Sequence, residues 1–401
     1  MSALFATFDV FPLPKGSSTH IAHTLKALES LAGSVSLVSL GFGEMPRFQQ
    51  EGGISIHRCL SHHPNFLKRT EYFYDFIRDT VGGIGGIDLV HFRDVWGGMA
   101  LFDDPRLAAA KKIFEVNGLP TIELPYHYPQ LMRNPGLMSR IRMMEDHCLE
   151  AADGIITVSN VTKRYLMSRD VPGEKIAVIP NTSFDFTETS PDGQQPDEPA
   201  PADARKIILY AGTLTGWQGL TTLMKAFELI ADRDDVLLFI AGSTDKYSRS
   251  IKKTIRKAGL EERVRFRAGL SRESLHRLYR RAAFSMAPLS RCSRNELQGC
   301  SPLKIIESMS AGTPVIASKL AVCAEYIDHM EDGLLVAPDS PRALANAMIL
   351  LLDDEDLAAR LGRNARAKSR NMFAMDHWMK KFHDAYNAFT REELPSGSPS
   401  N

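Results

Sequence analysis

An alternation that runs twice through the chain constrains its fold most: short apolar runs of strand length, each followed by an amphipathic stretch of helical length. Such a pattern is satisfied by a parallel sheet covered with helices, because parallel strands need a crossover, usually helical, to bring the chain back. In the first half the candidate strands are Ala3–Phe8, Ser34–Leu40, Leu89–Phe92, Lys112–Val116, Gly154–Val158 and Ala177–Ile179. The second half restarts with Lys206–Tyr210, Val236–Ala241, Val264–Arg267, Phe284–Ala287, Pro314–Ala317 and Leu334–Val336. Between them, FDFTETSPDGQQPDEPAPADA carries six acids and no base and shows no periodicity. It has no apolar face to bury and reads as a linker. Two α/β halves joined in this way put a cleft between them. In open parallel sheets ligands sit outside the carboxyl ends of the strands, so functional residues are expected just after strands.

Charge and composition exclude several classes. Lys+Arg and Asp+Glu number 48 each, which argues against a nucleic-acid protein working by bulk positive charge. The balance is uneven along the chain, because residues from Arg205 on hold 30 Lys/Arg against 23 Asp/Glu. An excess of that sign suits an anionic ligand and is equally what solvated helix faces produce. The start, MSALFATFDVFPLP, lacks a basic segment followed by a long apolar one, so no secretory signal is expected. No apolar run reaches the roughly 20 residues of a spanning helix. Five scattered cysteines with no CxxC fit a reducing compartment without a structural metal. A soluble, cytoplasmic, multidomain protein is the expectation.

The most informative stretch is NELQGCSPLKIIESMSAGTP, residues 295–314. Ser301 is a good N-cap and Pro302 suits the first helical position, so a helix is expected from there to about Ser310, ended by Gly312. Its unpaired backbone N–H groups form a ready anion site. Lys304 in the first turn opposes the helix dipole unless an anion is present, and Glu307 follows with two acceptor oxygens. The plain alternative is an i,i+3 salt bridge between the two.

A second stretch, YAGTLTGWQGL at 210–220, follows a strand and precedes a helix expected over Leu220–Ala231. Its glycines let backbone approach a phosphate closely, yet it is neither GxGxxG nor a P-loop. In the first half, FPLPKGSSTH, with Gly16, is another strand-to-helix junction. His91 ends a strand with Asp94 after it, and Glu115 and Asn117 point to one face at a strand end. Other patterns are plainer. Asp232 and Asp234 precede their strand and read as a solvated helix end. Asp353–Asp356 fits a turn between helices. Leu131–Met144 could touch a membrane through Met, Leu and Arg, but reads more simply as a core helix or partner contact.

With these motifs in place the chain resembles the large retaining family of GT-B-fold glycosyltransferases, the group that includes sucrose synthases and phosphatidylinositol mannosyltransferases. The resemblance covers about Ser2–Tyr386 and is carried by SPLKIIESMSAGTPVIAS, by ADGIITVSN…KIAVIPN and by EDGLLV with the later LLDDEDLAARLG. It implies two Rossmann-like, doubly wound domains: 1–183 for the acceptor and 206–375 for the nucleotide-sugar. A linker spans 184–205, residues 376–393 form a helix crossing back to the first domain, and 394–401 is a frayed tail. It implies that Glu307 holds the ribose hydroxyls and that Ser301, Pro302, Leu303 and Lys304 meet the diphosphate or nucleoside. Gly212, Thr213, Gly216 and Gln218 would line the phosphates, Arg267 would edge the base, and Gly16 would lie against the transferred sugar or diphosphate. His91, Glu115 and Asn117 would face acceptor and donor sugar. Three positions depart from the family pattern. Thr213 and Gln218 stand where Arg and Lys usually neutralise the diphosphate, Gly299 breaks the EX7E pair with Glu307, and Asn117 replaces a strand-end His. Lys304 is the first candidate to compensate, then Arg291 and Arg294.

The implied reaction is retaining transfer of a sugar from a UDP- or GDP-linked donor to a hydroxyl on a glycan, a lipid-linked molecule or a small molecule. It needs no resident cofactor and no metal. Polysaccharide or glycoconjugate synthesis, with peripheral contact at the inner face of a membrane, would be the setting. The rivals are a nucleotide-sugar epimerase on the same fold and a weakly catalytic nucleotide-sugar- or glycan-binding subunit.

Overall fold

The computed structural model describes residues 1–13, 16–60, 63–182, 204–242 and 248–390. All but the last two residues of the linker expected over 184–205 lie outside the described residues, as does the tail 394–401. The chain divides into two compact units. The first holds Met1–Val158, Thr162–Ile179 and Met379–Asn401; the second holds Ser159–Val161 and Pro180–Trp378. A helix over Met375–Thr390 therefore belongs to the first unit from Met379 onward.

The first unit is built on eight strands: β1 (Ser2–Val10), β2 (Ser34–Leu40), β3 (Phe48–Glu51), β4 (Ile54–Cys59), β5 (Leu89–Phe92), β6 (Lys111–Val116), β7 (Gly154–Thr157) and β8 (Ile176–Val178). Their order is β3-β4-β2-β1-β5-β6-β7-β8, and every pairing is parallel except β3 with β4. The centre of β1, Ala3–Ala6, is fully buried, as expected of a strand covered on both faces. On one face Phe92 stacks on Phe114 at 4.6 Å between ring centres.

The second unit carries β9 (Lys206–Gly212), β10 (Val236–Gly242), β11 (Val264–Ala268), β12 (Phe284–Ala287), β13 (Val315–Ser318) and β14 (Leu334–Val336). All are parallel, in the order β11-β10-β9-β12-β13-β14. Strand order reverses at β1/β5 in the first unit and at β9/β12 in the second, the places where open α/β sheets take ligands.

Most expected strands appear within two residues of their expected bounds, but the β3–β4 hairpin is an addition. It turns at Gly52, whose φ is +58°, and β3 is mostly exposed, so no apolar run announces it. Leu131–Met144 is a short 3-10 turn, Pro129–Arg133, leading into a helix over Pro135–Ala151 capped by Asn134. Ile141 is buried in the core, while Met132 and Met143 are exposed. Arg233, between Asp232 and Asp234, pairs with Asp235 and Asp353, and Asp354 caps the helix Glu355–Met372. Among the described residues no helix is long and apolar enough to cross a membrane.

Candidate functional site

In the second unit the site grows from the carboxyl end of β9. Gly212 leaves the strand at φ +145°, a conformation that favours glycine, and its missing Cβ makes room for the Lys304 side chain. Tyr210 donates its hydroxyl to the Thr213 carbonyl at 2.5 Å, and a 3-10 turn follows at Gly216–Gln218. Gly219, at φ +72°, passes so close to the Pro288 carbonyl that a Cβ there would lie 1.6 Å from its oxygen. The Trp217 carbonyl accepts from Ser290 N and from Asn295 Nδ2, both at 3.0 Å. These contacts bind the loop after β9 to the chain leaving β12, the two strands at the switch point.

Lys304 closes this arrangement. It is 8% exposed, its amine donates to Gln218 Oε1 at 2.5 Å, and it lies 4.3 Å from the centre of the Tyr210 ring. Burial pulls its pKa down to about 8. One turn later on the same helix Glu307 accepts from the Tyr279 hydroxyl at 3.2 Å, and burial pushes its carboxyl up to about 7. The amine thus goes to Gln218 and the carboxylate to Tyr279, in place of the i,i+3 bridge.

The expected helix start needs correction. The helix runs Leu303–Ala311 with Pro302 at its N-cap and no capping side chain. The Ser301 hydroxyl instead accepts from Asn181 N at 2.9 Å and from the Tyr326 hydroxyl at 2.7 Å, pinning the turn before the helix. Gly312, at φ +77°, ends the helix as expected. Arg294 lies in a π-helical turn, Arg294–Gln298, and donates to the Gly299 carbonyl, while exposed Arg291 pairs with Glu296. Arg267 sits at the end of β11, with an exposed side chain.

In the first unit Glu115, on β6, is the hub of a buried polar cluster. It is 1% exposed and accepts from His20 at 2.5 Å, from His91 at 2.8 Å and from the Asn117 amide. Arg93 stands 3.6 Å away and also pairs with Asp9 at 3.2 Å. These partners overcome the cost of burial and hold the Glu115 carboxyl well below its ordinary value. The other His91 nitrogen meets the Tyr386 hydroxyl. Burial lowers the His91 pKa, so this ring is neutral. His91 is 0% exposed, with its nitrogens engaged by Glu115 and Tyr386. Asn117 is half-buried, as is Asp9. Gly16 begins the helix Gly16–Ala32 that brings His20 to Glu115. Asp94 caps Val95–Phe102, accepts from Phe8 N at 2.6 Å, and is raised to about 6 by burial.

Sequence reading missed His20, Arg93, Tyr210, Tyr279 and Tyr386. His20 and Arg93 follow candidate strands and could have been found there. The tyrosines lie within elements and had no local signal.

Two Rossmann-like sheets, each with a polar cluster at its strand ends, have the architecture of the GT-B fold. Residues 14–182 match the model of Glycosyltransferase Family 4, and residues 193–368 match that of glycosyl transferases group 1. An uncharacterised glycosyltransferase of Methanocaldococcus jannaschii is 26% identical over 391 residues, covering 92% of this chain and 94% of its own. The structure of sucrose-phosphate synthase from Thermosynechococcus elongatus superposes with a TM-score of 0.78 at 22% identity, covering 96% of this chain and 98% of that one. That of Anabaena HepE in complex with UDP-glucose does so at 0.72 and 17%, covering 97% and 100%. The chain belongs to the group 1 glycosyltransferases.

Proposed function

We propose that the protein transfers a sugar, with retention of anomeric configuration, from a UDP- or GDP-linked donor to a hydroxyl acceptor in polysaccharide or glycoconjugate synthesis. The observation that carries this reading is the Lys304 amine, buried against Gly212 and Gln218 at the switch point of the second unit. A buried cation with a pKa near 8 is poised to meet a diphosphate, whose charge would keep it protonated. Complexes of the fold neighbour HepE with UDP-glucose support a nucleotide-sugar donor.

In this reading the bond from the anomeric carbon to the diphosphate oxygen breaks, and a bond to the acceptor oxygen forms on the same face. The acceptor proton passes to the departing diphosphate, so no protein base is needed. Lys304, the N–H groups at Leu303–Lys304 and the backbone of Gly212–Gly219 stabilise the charge that builds on the leaving group. One such donor is worth about 3 kcal/mol, which makes Lys304 the replacement for the missing Arg and Lys at Thr213 and Gln218. Glu307 holds the ribose hydroxyls. Asn117, oriented by Glu115, meets a sugar hydroxyl. The reaction proceeds without a metal.

A thermal-shift panel of UDP, GDP, ADP and dTDP identifies the base, since a ligand at 100 times its Kd adds about 2.7 kcal/mol. Turnover of the matching nucleotide-sugar, with the product anomer read by proton NMR, then tests the reaction. Retention is expected, with turnover unchanged by EDTA. An inverted product, an epimerised free sugar, or binding without turnover defeats the reading. Lys304→Ala lowers kcat tenfold or more, and parental turnover in that variant ends the compensation.

A further inference from the structure

The excess of positive charge in the second half falls within one stretch of the sequence. Residues 249–281 hold twelve Lys/Arg against three Glu, in a chain whose formal net charge is zero. Five of these cations are Arg249, Lys252, Lys253, Arg256 and Lys257, on the helix Ser248–Lys257, and all five are exposed. Their spacing of i, i+3, i+4, i+7 and i+8 places them on a single face. The opposite face, Ile251 and Ile255, is buried in the core of the second unit. Beyond this helix, β11 is the edge strand of its sheet and exposes Arg265 and Arg267. Arginines on an edge strand also keep other strands from pairing with it, which accounts for those two residues. It does not account for a five-cation stripe on a helix. The helix carries the chain from β10, the neighbour of β9, out to the edge strand β11.

We infer that this helix face is a docking surface for an anionic lipid bilayer, held by charge without insertion. Like-charged groups on one convex face repel one another, and they match a partner that presents negative charge as a broad surface. The buried isoleucines leave the helix no apolar face to sink into lipid, so the attraction is electrostatic and salt-sensitive. Nucleic acid fits less well because, among the described residues, no exposed aromatic lies beside the cations. Phe266 is half-buried, with Lys252 Nζ 5.4 Å from its ring centre, and Tyr279 is buried.

The test is co-sedimentation of the full chain with phosphatidylcholine vesicles, with and without about 30 mol% phosphatidylglycerol, at about 0.05 M and about 0.5 M salt. Binding is expected only with the anionic lipid and only at the lower salt. The variant Arg249→Glu/Lys253→Glu/Lys257→Glu reverses three exposed charges one turn apart. It is expected to bind the anionic vesicles at least tenfold more weakly while melting at the parental temperature. A control, Arg140→Glu/Arg142→Glu, on the helix Pro135–Ala151 of the first unit, is expected to bind as the parent does. Equal binding to neutral vesicles, undiminished binding by the triple variant, loss in the control alone, or capture by DNA in preference to vesicles would each overturn the proposal.

Discussion

Glu307 and Glu115 are two carboxyls that burial treats in opposite ways. Glu307 has one hydroxyl donor, and desolvation raises it from 4.5 to about 7. The native state therefore keeps a proton that the unfolded chain has lost, and stability falls as pH rises between those values. Glu307→Gln removes that fall. The variant is expected to melt about 2 °C or more above the parent at pH 8, with the gap closing near pH 5, and to bind nucleotide more weakly. An equal shift at both pH values would show an unperturbed carboxyl, and parental nucleotide affinity would reject the ribose role. Glu115 is the reverse case: three donors and the charge of Arg93 hold it ionised, so its contribution is present at neutral pH and is lost only as pH falls well into the acid range. Glu115→Ala strands His20, His91, Arg93 and Asn117, and urea denaturation should register a loss of about 3–5 kcal/mol. The types and positions of Glu115 and Asn117 were legible from a strand-end alternation. The direction of the Glu115 side chain was not, because its partners come from a helix, a neighbouring strand and an adjacent loop.

At the scale of elements, the loop between β9 and the helix Leu220–Glu228 depends on one glycine. Gly219 combines a left-handed φ with a Pro288 carbonyl where its Cβ would stand, and that obstacle is backbone, which has no rotamer by which to move aside. Gly219→Ala is expected to cost about 2 kcal/mol or more and to abolish nucleotide binding by displacing Gln218 and with it the Lys304 amine. Parental affinity in that variant would show that the loop does not form the site. The sequence marked this loop as glycine-rich, and it marked the helix after Cys300 through Pro302 and Gly312. It misplaced the cap, because Ser301 has the right chemistry for an N-cap but is drawn off by Asn181 and Tyr326. Local rules rank a residue against its own backbone, and here a tertiary hydrogen bond outcompeted them.

Across the whole molecule, the two sheets share a design and divide the chemistry. The buried amine and the helix start that the proposal assigns to the diphosphate lie in the second unit; the first holds a neutral His and an ionised Glu locked together. UDP or GDP should accordingly slow amide hydrogen exchange at Gly212–Leu220 and Ser301–Glu307. Protection centred in the first unit would reverse the assignment of donor and acceptor.

The sequence by itself determined the strand–helix alternation, the two-fold division and the motifs after strands, because periodicity and backbone-special residues act over a few neighbours. Only the tertiary structure decided which strand ends lie side by side. It brought Tyr386 to His91 and Lys304 to Gln218, and it closed Glu115 off from solvent. Those outcomes turn on strand order and on competition among buried polar groups for partners far apart in the chain, and no local pattern encodes either.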